Sequence, residues 1–69
     1  DNIMTITINR QDVGEAMKQY CVRHGYTMKE IARIMGVSVG AIQSWVYGYR
    51  LMNFDNYMKF MKMLEDEKQ

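Results

Sequence analysis

The sequence predicts an all-α protein, a compact four-helix domain with a central helix-turn-helix. Three observations lead there. Apolar residues recur at helical spacing in four separate stretches, each stretch opens on a residue able to cap a helix, and the first three close on glycine in a chain without proline. Sixty-nine residues make one domain, 1–69, with a thin core, a size that often calls on an oligomeric partner. The expected elements are an extended arm or strand over 1–9 and helices over 10–24, 28–35, 39–47 and 54–66.

At the start, Met4, Ile6 and Ile8 alternate with Thr5, Thr7 and Asn9, the period of a half-buried strand. No other stretch alternates in this way. The simplest partner is therefore the same segment of a second molecule; an extended arm on its own domain or a disordered terminus are the alternatives. Met4 is a candidate start residue, with Asp1, Asn2 and Ile3 ahead of it. Asn9 and Asp12 then offer caps for a first helix in which Val13, Ala16, Met17, Tyr20 and Cys21 trace one apolar stripe, and Gly25 ends it.

Thr27 and Glu30 have the spacing of a reciprocal cap, in which the threonine hydroxyl and the glutamate side chain each satisfy the other's backbone N–H. Ile31, Ile34 and Met35 follow at helical spacing, and Gly36 closes that helix. Gly36, Val37 and Ser38 form the turn. Ser38 caps a second short helix whose Ile42, Trp45 and Val46 face one way, and Gly48 ends it. In the last helix, Met52 and Tyr57 are placed to staple the chain's entry across Asn53. Phe54, Tyr57, Met58, Phe60, Met61, Met63 and Leu64 cover more than one face there. Phe60 and Met63 are the candidates for shielding by a partner subunit or another protein; a loosely packed methionine core is the alternative.

The residues from Tyr26 to Ala32, then Gly36-Val37-Ser38, Ile42, Trp45 and Gly48-Tyr49-Arg50, resemble the Xre/Cro (lambda-repressor-like) family of bacterial and phage regulators. The resemblance implies that the helix over 39–47 enters the DNA major groove. Carried over by position, it makes Val39, Gly40, Gln43, Ser44 and Tyr47 the base-contacting set. Val39 and Gly40 depart from the polar side chains that usually discriminate bases, which leaves Gln43 and Ser44 as the hydrogen-bonding readers. Phosphates are expected at the helix start formed by Thr27, Met28 and Lys29, at Ser38, and at Tyr49 and Arg50 beyond the recognition helix. The family's frequent ion pair between the first helix and the end of the recognition helix falls on Cys21 and Val46, which are expected to lie near each other as a packed pair.

The net charge of +1 conceals a segregated distribution. From Lys18 to Lys62 there are seven cations against two acids, while Asp12, Glu15 and the Glu65-Asp66-Glu67 tail lie outside. A central basic zone suits phosphates, whose neutralisation releases counterions. No apolar run approaches a membrane span and no cationic leader precedes one, so no membrane partner is expected. A lone cysteine fits a reducing cytoplasm. Cys21 and His24 stand one turn apart but have no further Cys or His to complete a zinc site; no metal and no cofactor is expected. A single His and Cys without an orienting third group argue against an enzyme and a small-molecule substrate. The expected function is a homodimeric DNA-binding repressor on a palindromic operator. The competing expectation is a helix-turn-helix module that captures a partner regulator, an antirepressor.

Overall fold

The structure, a computed structural model, describes residues 8–68. Four helices follow in order: α1 (Val13–His24), α2 (Met28–Met35), α3 (Val39–Val46) and α4 (Phe54–Glu67). The segment carrying Met4 and Ile6 lies outside the described residues, so the dimer strand expected over 1–9 is represented only by its last two positions. Ile8 is half-buried against the domain's own core, and its carbonyl accepts a hydrogen bond from the Tyr57 hydroxyl at 2.6 Å.

Both helices of the central pair begin where their caps dictate. The Glu30 N–H donates to Thr27 Oγ1 at 3.1 Å and the Thr27 N–H donates to Glu30 Oε1 at 2.7 Å, the full reciprocal cap. Ser38 Oγ accepts from the Ala41 N–H at 3.0 Å at the start of α3. Between them Gly36 adopts φ 72°, a left-handed conformation that a side chain would strain. Its N–H and that of Val37 then close on the Arg33 and Ala32 carbonyls. α4 opens on Asn53, whose Oδ1 accepts from the Asn56 N–H at 2.9 Å.

α1 starts at Val13 rather than at residue 10. Residues 10–12 form a turn in which the Asp12 N–H donates to the Asn9 carbonyl, and Asp12 makes no side-chain cap. The reason is packing: the apolar stripe begins only at Val13, and the Arg10 side chain turns instead to the Met52 carbonyl, its Nε donating at 2.9 Å.

The core forms where α1, α2 and α3 converge under α4. Met17, Ile31, Met35, Ile42, Met52 and Phe60 are entirely buried. Burial of side chains of this size contributes about 1.5–3 kcal/mol each. Phe60 is thus a core residue, and its expected place on a partner surface is corrected: its ring meets that of Tyr20 edge-on at 5.7 Å. Met63 is half-buried against the same core. What α4 leaves uncovered is Phe54 and Met58, one turn apart. On either side of the Asn53 cap, Met52 is buried and Tyr57 half-buried against the same core. The main chain of Val46 is met by Gly14, with Cys21 two turns further along α1; Cys21 and Val46 are both half-buried on the core.

Candidate nucleic-acid interface

α3 turns one face inward and one outward. Ile42 and Trp45 are buried, whereas Gly40, Gln43 and Tyr47 project from the opposite side at helical spacing. Gly40 stands in open space, since an added Cβ would meet nothing closer than Ser38 Oγ at 3.8 Å. Val39 is half-buried at the margin of this face. Tyr47, 59% exposed, caps α3 at its C-terminal end, with the ring of Tyr49 at 6.1 Å.

Ser44 does not belong to the outward face, which corrects its expected role as a base reader. It is only 6% exposed, and its hydroxyl donates to the Ala41 carbonyl at 2.7 Å. Its own carbonyl accepts the main-chain N–H groups of Tyr49 at 2.8 Å and Arg50 at 3.2 Å, so the segment after α3 folds back over it. Ser44 thereby sets the position of Tyr49 and Arg50, both of which are exposed.

The stretch that carries α3 holds no acid. No Asp or Glu occurs from Ile31 through Phe54. Much of the central basic zone is neutralised elsewhere: Lys18 pairs with Glu15, Lys62 with Asp66, and Arg23 with Glu67. Lys59 Nζ donates to the Met35 carbonyl at 2.9 Å, closing the end of α2. Among the described residues, Lys29, Arg33 and Arg50 have no carboxylate partner. Lys29 and Arg33 are one turn apart on the exposed side of α2, and Arg50 follows α3. At the start of α2 the Thr27 N–H is engaged by Glu30, which corrects its expected place among the free phosphate donors. The N–H groups of Met28 and Lys29 remain at the positive end of the helix. Ser38 is exposed at the start of α3 with its Oγ engaged by Ala41.

Two residues that matter here were not marked by the sequence. Arg33 repeats Lys29 at four residues' distance, a legible signal. Arg10 precedes every motif, and only the folded chain brings it beside Trp45, Gly48 and Arg50, where these residues line a surface cavity of about 270 Å³. Away from this side, Cys21 is half-buried and burial pushes its thiol above the ordinary value, away from thiolate reactivity. His24 stacks on Tyr26 at 5.2 Å, and its Nε2 lies 2.7 Å from Glu67 Oε2. No group of three or more metal-ligating side chains occurs among the described residues.

Two short capped helices joined by a glycine turn, the second presenting an outward face, define the helix-turn-helix class of protein. A helix-turn-helix family model (HTH_3) matches residues 17–65, most of the chain. The chain belongs to this Xre/lambda-repressor-like helix-turn-helix family, whose members are DNA-binding regulators. No curated protein and no solved structure matches it.

Proposed function

We propose that the protein is a sequence-specific transcriptional repressor that binds a palindromic operator as a homodimer, placing two copies of α3 in successive major grooves about 34 Å apart. The observation carrying this reading is the outward face of Gly40, Gln43 and Tyr47 in a stretch free of acids, with Lys29, Arg33 and Arg50 exposed and, among the described residues, without a carboxylate partner. Gln43 reads a base edge, with adenine its natural bidentate partner, while Val39 and Gly40 allow close approach to the groove. Met28, Lys29, Ser38, Tyr49 and Arg50 hold the phosphates and fix register. Tyr47 lies over the groove edge. The second copy covers Phe54 and Met58, with Met63 at the margin. The setting is the cytoplasm; no helix among the described residues is long and apolar enough to cross a membrane.

A second reading, capture of a partner regulator, draws on the uncharged α3 and on the exposed Leu51, Phe54 and Met58. Selection of bound duplexes from a random pool separates the two. An enriched inverted repeat supports the repressor reading. Recovery of no sequence above background contradicts it and favours the protein partner.

A further inference from the structure

Arg10 lies outside the matched motif, yet the fold fixes it beside the segment that follows α3. Its Nε donates to the Met52 carbonyl at 2.9 Å, and the Met52 side chain is entirely buried. That bond occupies one of the guanidinium's five N–H groups. The remaining N–H groups have no partner among the described residues. Arg10 lines the same cavity of about 270 Å³ as Arg50, together with Trp45, Gly48 and Tyr49. Among the described residues no carboxylate lines this cavity, and Asp12, the nearest acid in the chain, is not part of its wall. Two guanidinium groups that share a cavity repel each other until an anion sits between them, and planar paired donors match the oxygens of a phosphate.

We infer that Arg10 and Arg50 form a clamp for one DNA backbone phosphate, extending the interface beyond the helix-turn-helix to the turn that precedes α1. The inference rests on the DNA-binding reading given above. Its geometry is specific: the cavity is bounded by residues Gly48 to Leu51, which leave α3 directly, so the clamped phosphate belongs to the strand flanking the groove that α3 faces. The hydrogen bond to Met52 holds the Arg10 guanidinium in place before DNA arrives, which lowers the ordering cost of the contact.

The test is the salt dependence of binding to a short duplex for the wild type, Arg10→Gln, Arg10→Lys and Arg50→Ala, with thermal unfolding recorded for each. Removing one phosphate contact reduces the slope of log K against log salt by about 0.9, so a fourfold rise in salt costs the Arg10→Gln protein about 3.5-fold less affinity than the wild type. Arg10→Lys retains the wild-type slope, and Arg50→Ala loses a comparable increment. A merely structural Arg10 would lower the melting temperature and affinity of Arg10→Gln while leaving its slope unchanged; that result overturns the clamp. Inorganic phosphate added at constant ionic strength leaves wild-type binding unchanged. Saturable inhibition that disappears in Arg10→Gln would identify a free anion as the ligand and overturn the assignment to DNA. If the wild type binds with an Arg50-dependent slope that Arg10→Gln does not alter, the clamp alone falls. If the wild type retains no duplex at low salt, the functional reading falls with it.

Discussion

Gly14 of α1 lies against the main chain at the end of α3, so close that a Cβ in its place would stand 2.5 Å from the Trp45 carbonyl oxygen and 3.0 Å from that of Val46. Both neighbours are backbone and cannot swing aside. In an ordinary helix interior, replacing glycine by alanine stabilises by about 0.5–1 kcal/mol. Here the overpacking term, about 1–3 kcal/mol, has the opposite sign and wins. Gly14→Ala is therefore expected to destabilise the fold in denaturant titration, and a stabilised Gly14→Ala protein would show that α1 and α3 sit further apart.

The inward turn of Ser44 separates it from Gln43, its chain neighbour. Gln43→Ala should relax discrimination at one base position by about 1–3 kcal/mol, measured as the affinity ratio between a selected site and its single-base variants. Ser44→Ala should leave that ratio unchanged, because its hydroxyl is bonded to the Ala41 carbonyl within α3. A loss of discrimination in Ser44→Ala with an unchanged fold would place the residue in the groove after all.

Phe60 offers a test of the packing. Its ring is completely buried against Tyr20, so Phe60→Ala should lower stability by about 3–5 kcal/mol in chemical denaturation. A stably folded Phe60→Ala protein that only dissociates into smaller assemblies would return the residue to a partner surface.

The ends of α1 and α4 are tied by Glu67. Its carboxylate accepts from Arg23 Nη2 at 2.7 Å and Nε at 3.0 Å and lies 2.7 Å from His24 Nε2. The Arg23 hydrogen bonds lower its pKa from the ordinary 4.5; desolvation opposes them and His24 adds to them. A carboxylate depressed in the folded state contributes stability that is present above its unfolded value and lost as pH falls through its folded value. Glu67→Gln should thus narrow the fall in melting temperature on acidification below about pH 4.5, while changing little of the shape near neutrality. An identical acid limb in the two proteins would show that the tie does not act in solution.

The parts of this molecule governed by neighbours in sequence could be read directly. The Thr27–Glu30 cap, the Gly36 turn and the Ser38 cap are local chemistry, and α2 has the expected bounds of Met28–Met35. What required the fold was the direction of side chains on helices with an ambiguous stripe. α4 carries apolar residues on most of its circumference, so composition could not select Phe60, Met61 and Leu64 as the buried set and leave Phe54 and Met58 outside. Ser44 is polar at a position adjoining the outward face, and its burial, with Tyr49 and Arg50 bonded to its carbonyl, appears only in the folded chain. Arg10 and Gly14 carry no motif; their roles come from contacts with residues more than thirty positions away.

The central claim is that the exposed side of α3 lies along DNA, and amide chemical-shift mapping of the labelled protein with duplex DNA tests it most directly. The expected result is a joint displacement of Gly40, Gln43 and Tyr47 together with Lys29 and Arg50, with Met61 and Leu64 of the core unmoved. Displacements confined to Phe54 and Met58 on α4, or none at any residue of α3, would contradict it.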